Sequence, residues 1–135
     1  MIYVVLDTNI IIASLSSHSK YHWVMQKLIN QEYSICVTND ILLEYEEKII
    51  EKYSLNTARN FLSFLKEAPN CKLINVFYNW NLILDPDDNK FTDCAFSASA
   101  NYIVTEDRHF NVLKTLDFPK IEVLGIAEFG SIINL

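Results

Sequence analysis

A run of apolar residues that ends in an aspartate constrains the fold of this chain most strongly. Residues 2–6 read Ile-Tyr-Val-Val-Leu, without the polar alternation of a half-exposed strand. Such a run predicts a strand that is buried on both faces, as in the middle of a parallel sheet. Asp7 follows at the carboxyl end of this strand, the edge where open α/β sheets bind their ligands. Asp7 therefore has two interpretations, a functional carboxylate or the N-cap of the next helix.

Strand and helix patterns alternate along the rest of the chain, which is typical of an α/β fold with a mostly parallel sheet. The further predicted strands span residues 33–37, 71–76, 102–104 and 121–124. The predicted helices span residues 10–15, 20–30 with Ser19 as N-cap, 39–53 capped by Thr38 or Asn39, 56–66, 89–100, 110–116, and a terminal helix from residue 127. Residues 77–84 fit neither pattern and indicate an irregular segment.

Composition and charge limit the class of protein. The chain has 135 residues, 50% of them hydrophobic, and only 2 glycines, so we expect a single domain over residues 1–135. A net charge of −6 argues against a broad basic face that grips nucleic acid, but not against an enzyme whose carboxylates hold cations. Cys36, Cys71 and Cys94 form no CxxC pair, which predicts free thiols and a cytoplasmic protein. No apolar run approaches the roughly 18 residues that a membrane span needs.

Four acids stand where the predicted fold brings carboxylates together. Asp7 and Asp107 each follow a short apolar strand, so both should reach the same edge of the sheet. Asp88 opens a helix at the end of the irregular segment, and Glu44 lies one turn into the helix that begins after Thr38. Glu44 interrupts an apolar run, yet an ordinary exposed helix acid is the alternative interpretation of it.

Carboxylates that converge repel one another, so a cluster of this kind requires cations. Hard divalent ions with oxygen ligands, Mg²⁺ or Mn²⁺, suit such a cluster. Ions of this type stabilise the attacking and leaving oxygens in phosphodiester hydrolysis, where water is the nucleophile. The sequence leaves the number of ions open.

Four short motifs, in their order, spacing and strand context, resemble the PIN domain family. The resemblance is closest to the prokaryotic branch of VapC-like toxin ribonucleases from toxin–antitoxin pairs, and it covers essentially the whole chain. The motifs are Asp-Thr-Asn at residues 7–9, Glu44 on a helix, Asp-Pro-Asp-Asp-Asn-Lys-Phe at residues 85–91, and Thr-Glu-Asp-Arg-His-Phe at residues 105–110. This resemblance implies a three-layer α/β/α sandwich with a mostly parallel central sheet.

Carried over by position, the resemblance implies a metal-binding catalytic centre that holds Mg²⁺ or Mn²⁺ and consists of Asp7, Glu44, Asp88 and Asp107. It also implies an endoribonuclease that acts on single-stranded or loop RNA, a homodimer, and a small antitoxin protein bound across the active-site groove.

Other polar residues near these acids are candidates for lesser roles. Thr8, Asn9 and Thr105 would support the carboxylates, Asp93 is a further candidate metal ligand, and Lys90 and Arg108 flank the acids as candidates for binding substrate phosphates. We interpret Asp85 and Asp87 as turn and N-cap residues, and His109 as a surface residue.

Three other functions have to be weighed against a ribonuclease. A haloacid-dehalogenase-like phosphatase also places an aspartate after its first strand, but it needs a second aspartate where this chain has Asn9. A PIN-like scaffold that binds RNA or protein without cutting is the non-enzymatic alternative, although all four acid positions are filled. A DNA-directed nuclease also stays open, because a carboxylate cluster does not read the 2′-hydroxyl.

Overall fold

The computed structural model describes residues 1–133 of the chain, and in this part five strands form one parallel sheet. The strands are β1 (Tyr3–Leu6), β2 (Ser34–Val37), β3 (Cys71–Leu73), β4 (Tyr102–Val104) and β5 (Val123–Leu124). Their order across the sheet is β3-β2-β1-β4-β5, and every neighbouring pair is parallel. The predicted α/β class is confirmed.

Six α-helices occur within residues 1–133. They are α1 (Thr8–Leu15), α2 (Trp23–Ile29), α3 (Asn39–Lys52), α4 (Leu55–Glu67), α5 (Asn89–Ala98) and α6 (Ile126–Ile132). Two 3₁₀ segments, Pro86–Asp88 and Arg108–Thr115, precede α5 and β5. No helix among these residues has the length and apolar character that a membrane crossing requires.

The first strand lies at the centre of the sheet, as its unbroken apolar run predicts. Val4, Val5 and Leu6 have no exposed surface, although successive side chains of a strand point to opposite faces. Helices therefore cover both faces, which gives the three-layer α/β/α sandwich. β1 pairs with β2 on one side and with β4 on the other. The chain therefore adds β2 and β3 on one side of β1, and then returns to add β4 and β5 on the other side. In sheets of this kind a crevice opens outside the carboxyl ends of the two strands at the change of side, here β1 and β4.

Several element boundaries differ from the prediction. Ser19 does not cap α2, because its hydroxyl accepts the Tyr21 N–H within a turn and the helix begins only at Trp23. The third strand ends at Leu73 rather than residue 76, after which Ile74 N–H donates to Val37 O (2.7 Å) and the chain leaves the sheet. The predicted helix 110–116 is a 3₁₀ helix from Arg108, and helix α6 starts one residue early. Residues 134 and 135 of the predicted terminal helix and domain lie outside the described part.

Two buried side chains tie other elements of the fold to the sheet. The Tyr45 hydroxyl of α3 donates to Leu6 O at the end of β1. The Asn70 amide Nδ2, in the loop before β3, donates to Leu28 O (2.9 Å) and to Tyr33 O (2.8 Å). The first of these hydrogen bonds anchors α3 at the end of β1, and the other two tie the loop before β3 to α2 and to the residue before β2.

The three cysteines are free thiols in the structure, as expected. Burial raises the pKa of Cys36 and of Cys71 to about 11. Thiols with such pKa values are protonated and unreactive at neutral pH.

Candidate active site

The candidate site lies at the carboxyl ends of β1 and β4. Asp7 follows β1 directly, and its backbone N–H donates to Val104 O (3.0 Å), which holds the two strand ends side by side. Thr105 and Asp107 follow β4 and share this edge. Asp7 and Asp107 therefore lie at the same edge of the sheet, as the sequence predicts.

A threonine hydroxyl joins the first two acids. Thr105 Oγ1 donates to Asp7 Oδ2 (2.7 Å) and accepts the Asp107 N–H (3.0 Å). Asp7 is only 5% exposed and stands at the N-cap position of α1, but its side chain makes no capping hydrogen bond there. Burial raises the pKa of the Asp7 carboxyl; the Thr105 hydrogen bond lowers it, and the charges of Asp107 and Glu44 raise it further.

Glu44 is held by neighbours from two other helices. The Thr8 hydroxyl of α1 donates to Glu44 Oε2, and Lys90 Nζ of α5 lies 2.8 Å from Glu44 Oε1. The Glu44 side chain is 17% exposed. It is therefore not the freely solvated surface acid that its helix pattern also allowed.

Asp88, Asp107 and His109 form the tightest group of potential metal ligands among residues 1–133. One ligand atom of each lies within 4.8 Å of the others. His109 Nδ1 is 3.4 Å from Asp107 Oδ1 and 3.6 Å from Asp88 Oδ2. Burial raises the pKa of Asp88 to about 6, helped by the charges of Asp107, Asp85 and Asp7 and opposed by the nearby His109 ring.

One carboxylate oxygen of this group has no hydrogen-bond partner. Asp88 Oδ2 is buried and accepts no hydrogen bond from the described residues. Buried polar atoms are normally paired, and His109 Nδ1 at 3.6 Å is beyond hydrogen-bond distance. A set of carboxylate oxygens with one such orphaned atom matches the ligand preference of Mg²⁺ and Mn²⁺.

Other predicted residues lie apart from the cluster. Asn9 and Arg108 are exposed, and within residues 1–133 neither side chain hydrogen-bonds to the acids. Asp93 is buried on α5, where Oδ1 accepts the Trp80 N–H (2.9 Å), and it does not belong to the Asp88 group. Asp85 Oδ1 accepts the Asp87 N–H (3.0 Å), the turn role expected for it.

His109 is the residue whose position the sequence did not reveal. Asp107 Oδ1 accepts the His109 backbone N–H (2.9 Å), so the tight 3₁₀ turn folds the imidazole back toward the acids. The available signal is the Asp-x-His spacing directly after a buried strand, since an aspartate that caps its own turn brings the residue two positions later close to its carboxylate.

Comparison with models of known protein families shows the family to which this chain belongs. The model of the PIN domain family matches residues 3–109, which include all four acids. The chain belongs to the PIN domain family.

Three solved structures share the fold at low sequence identity. VapBC2 from Rickettsia felis, bound to a DNA fragment from its promoter, is 16% identical over 92% of this chain and 98% of that one, with a TM-score of 0.63. DNA-bound VapBC from Salmonella typhimurium is 14% identical over 93% and 99%, with a TM-score of 0.55. The PIN domain of human SMG5 is 11% identical over 96% and 97%, with a TM-score of 0.51. No curated protein matches the chain significantly.

Proposed function

We propose that this PIN domain is a metal-dependent endoribonuclease that hydrolyses RNA phosphodiester bonds. Asp7, Glu44, Asp88 and Asp107 are its proposed metal-binding and catalytic residues, with Mg²⁺ or Mn²⁺ as cofactor. The observation that carries the proposal is the buried Asp88 Oδ2, which has no hydrogen-bond donor and lies beside the Asp107 carboxylate. Family membership supports it, since nuclease activity is general among PIN domains.

The chemistry of the proposed cofactor follows from the donor set. When bound, a divalent ion supplies Lewis-acid stabilisation of the charge that develops on the phosphate oxygens. The carboxylates of Asp7, Asp88 and Asp107 would hold it, and Glu44 would complete the set from α3. No histidine or serine nucleophile is required, because water attacks the phosphorus.

The surrounding side chains position these carboxylates. Thr105 orients Asp7 and Asp107 through its single hydroxyl, while Thr8 and Lys90 orient Glu44. The Lys90 ammonium also offsets negative charge where an RNA phosphate would approach the acids. We assign Lys90, and the exposed Arg108 beside Asp107, to phosphate binding.

Metal removal combined with a paired substitution tests the proposal. Wild type, Asp88→Asn and Asp87→Asn are incubated with structured RNAs and with single-stranded DNA in Mn²⁺, in Mg²⁺ and in EDTA. We expect cleavage of RNA only with metal, and a loss of at least about a hundredfold in Asp88→Asn, because several kcal/mol of charge stabilisation disappear. The exposed neighbour Asp87 is the matched control and should leave the rate unchanged.

Three results would contradict the nuclease proposal or narrow it. Full activity in EDTA would exclude metal dependence, and an active Asp88→Asn would exclude this site. Metal binding without cleavage of any RNA would support a PIN-like scaffold that binds RNA or protein. Cleavage of DNA but not of RNA would mean that the substrate is DNA.

Thr105→Val should separate positioning from packing. Valine fills the same volume but cannot bridge Asp7 and Asp107, so we expect metal affinity and cleavage to fall about 10–100-fold. Thr105→Ser retains the hydroxyl and should restore most of both. Mn²⁺ titration followed by thermal shift, beside the cleavage rate, measures the effect; equal losses in the serine and valine variants would argue against the bridge.

We further propose that the chain is a single-domain toxin of a toxin–antitoxin pair, acting as a homodimer that a small antitoxin protein neutralises. The support is its sequence resemblance to VapC-like ribonucleases and the common fold with two VapBC assemblies.

A further inference from the structure

A cavity of about 240 Å³ lies beside the acidic cluster, and the proposed mechanism does not use it. Its volume equals that of about eight waters, which leaves room for one planar heterocycle. Three elements form its walls, namely the start of α3, the first turns of α5 and the irregular segment after β3. Most of the lining side chains are polar: Asn39, Asp40, Asn75, Asn79, Lys90 and Asp93.

Asp93 is the buried acceptor of this cavity. It is 5% exposed, and its Oδ1 accepts the Trp80 N–H (2.9 Å). Its second oxygen, Oδ2, accepts no hydrogen bond from residues 1–133. Oδ2 therefore remains available to accept hydrogen bonds from a ligand with N–H donors.

The start of α3 offers backbone donors to the cavity. Thr38 Oγ1 caps α3 by accepting the Ile41 N–H (3.1 Å), which leaves the N–H groups of Asn39 and Asp40 outside the helical hydrogen bonds. Both residues line the cavity. A ligand that fits must therefore present donors toward Asp93 and an acceptor toward the start of α3.

Lys90 connects the cavity to the acids. It lines the cavity, and its Nζ lies 2.8 Å from Glu44 Oε1. One side chain thus separates the cavity from Glu44, so a base bound in the cavity would come from a nucleotide near the bond that the proposed centre cleaves.

We propose that the cavity binds a guanine base adjacent to the scissile phosphodiester, with Asp93 as the residue that selects it. The inference rests on the proposed nuclease function. Guanine presents N1–H and N2–H side by side, and one carboxylate can accept both hydrogen bonds. Its O6 lies next to them and can accept a hydrogen bond from the free N–H groups at the start of α3. Uracil presents one N–H between two carbonyl oxygens, and these oxygens would face the carboxylate.

Binding of nucleosides tests the selection without any cleavage. Guanosine, adenosine, cytidine and uridine lack phosphate, so the acids do not repel them, and NMR titration in EDTA measures their affinities. We expect guanosine to bind at least about tenfold more tightly than uridine, and Asp93→Asn to remove this difference. Asparagine retains Oδ1 for the Trp80 N–H, so the variant should fold, and an unchanged melting temperature verifies this. Glu67→Gln, an acid-to-amide change at an exposed position of α4, is the matched control and should keep the preference.

Cleavage provides the second readout. Two RNAs that differ by a single guanine-to-uracil change near the cut should differ at least about tenfold in kcat/KM with wild type. With Asp93→Asn the two RNAs should have about the same kcat/KM. Equal binding of all four nucleosides, or a guanine preference that survives in Asp93→Asn, would overturn the cavity proposal even if RNA is cut. Guanosine-selective binding that Asp93→Asn abolishes, with no RNA cut under any condition, would leave the cavity proposal standing and refute the nuclease.

Discussion

Asp7→Asn is expected to abolish RNA cleavage and, in the same molecule, to raise the thermal stability of the metal-free protein. Asp7 is buried at the end of the central strand, close to the negative charges of Asp107 and Glu44. An amide of the same shape keeps an acceptor for the Thr105 hydroxyl but removes the buried charge and the repulsion. Folding without metal therefore improves, while the proposed metal site loses a ligand.

Two measurements on Asp7→Asn test whether cleavage falls while the stability of the metal-free protein rises. The RNA cleavage rate in Mn²⁺ should fall at least about a hundredfold. In EDTA the melting temperature should rise, by roughly 4 °C for each 1 kcal/mol gained in a domain of this size. Added Mn²⁺ should stabilise wild type more than Asp7→Asn, because ligands that bind only the folded state raise its stability.

The exposed Glu51→Gln on α3 is the control for Asp7→Asn. Its partner Lys48 is 3.6 Å away, a surface ion pair of little value, so neither rate nor stability should change. An Asp7→Asn protein that cleaves RNA at the normal rate would refute the catalytic assignment. One that unfolds at a lower temperature than wild type in EDTA would show that the Asp7 charge is compensated within the protein.

Asn70→Ala should have the largest effect on stability of any change considered for this protein. The Asn70 amide supplies hydrogen bonds to two buried carbonyls, Leu28 O and Tyr33 O, and each carbonyl would lose its donor. Such losses amount to about 1–3 kcal/mol each, partly offset because Asn70 Oδ1 is itself buried without a partner. We expect the free energy of unfolding to fall by about 2–3 kcal/mol.

Denaturant unfolding of three variants measures this effect and its cause. Asn70→Asp keeps the shape but has no N–H donors, so it should be at least as unstable as Asn70→Ala. Asn60→Ala, at an exposed position of α4, should change the free energy of unfolding by less than about 0.5 kcal/mol. A change below about 1 kcal/mol in Asn70→Ala would mean that the two carbonyls find other donors.

The sequence predicted the architecture because the strands carry unambiguous patterns. The unbroken apolar run before Asp7 indicated a central strand, and the short run before Thr105 indicated a second one ending at the same edge. Since parallel strands present their carboxyl ends together, these two patterns alone brought Asp7 and Asp107 into one site. No helix contact had to be known for that step.

Contacts between helices could not be predicted from these local sequence patterns. The periodicity of α3 gives the face on which Glu44 lies, but its burial depends on Thr8 of α1 and Lys90 of α5, which are distant in sequence. The irregular residues 77–84 carry no periodicity, so the hydrogen bond between Trp80 and Asp93 had no local signal. The His109 ring reaches the acids through a turn whose geometry the side chain of Asp107 sets.

The hydrogen bond between Thr105 and Asp7 joins residues 98 positions apart, and β4 takes its place beside β1 only when both are present. A growing chain on the ribosome consequently has no complete acidic cluster until β4 and Asp107 have been made and have left the exit tunnel. Chains that end just before β4 contain Asp7, Glu44 and Asp88 but lack Asp107 and the Thr105 hydroxyl that joins Asp107 to Asp7. The acidic cluster, and with it the proposed nuclease activity, would therefore be assembled only after β4 has joined the sheet.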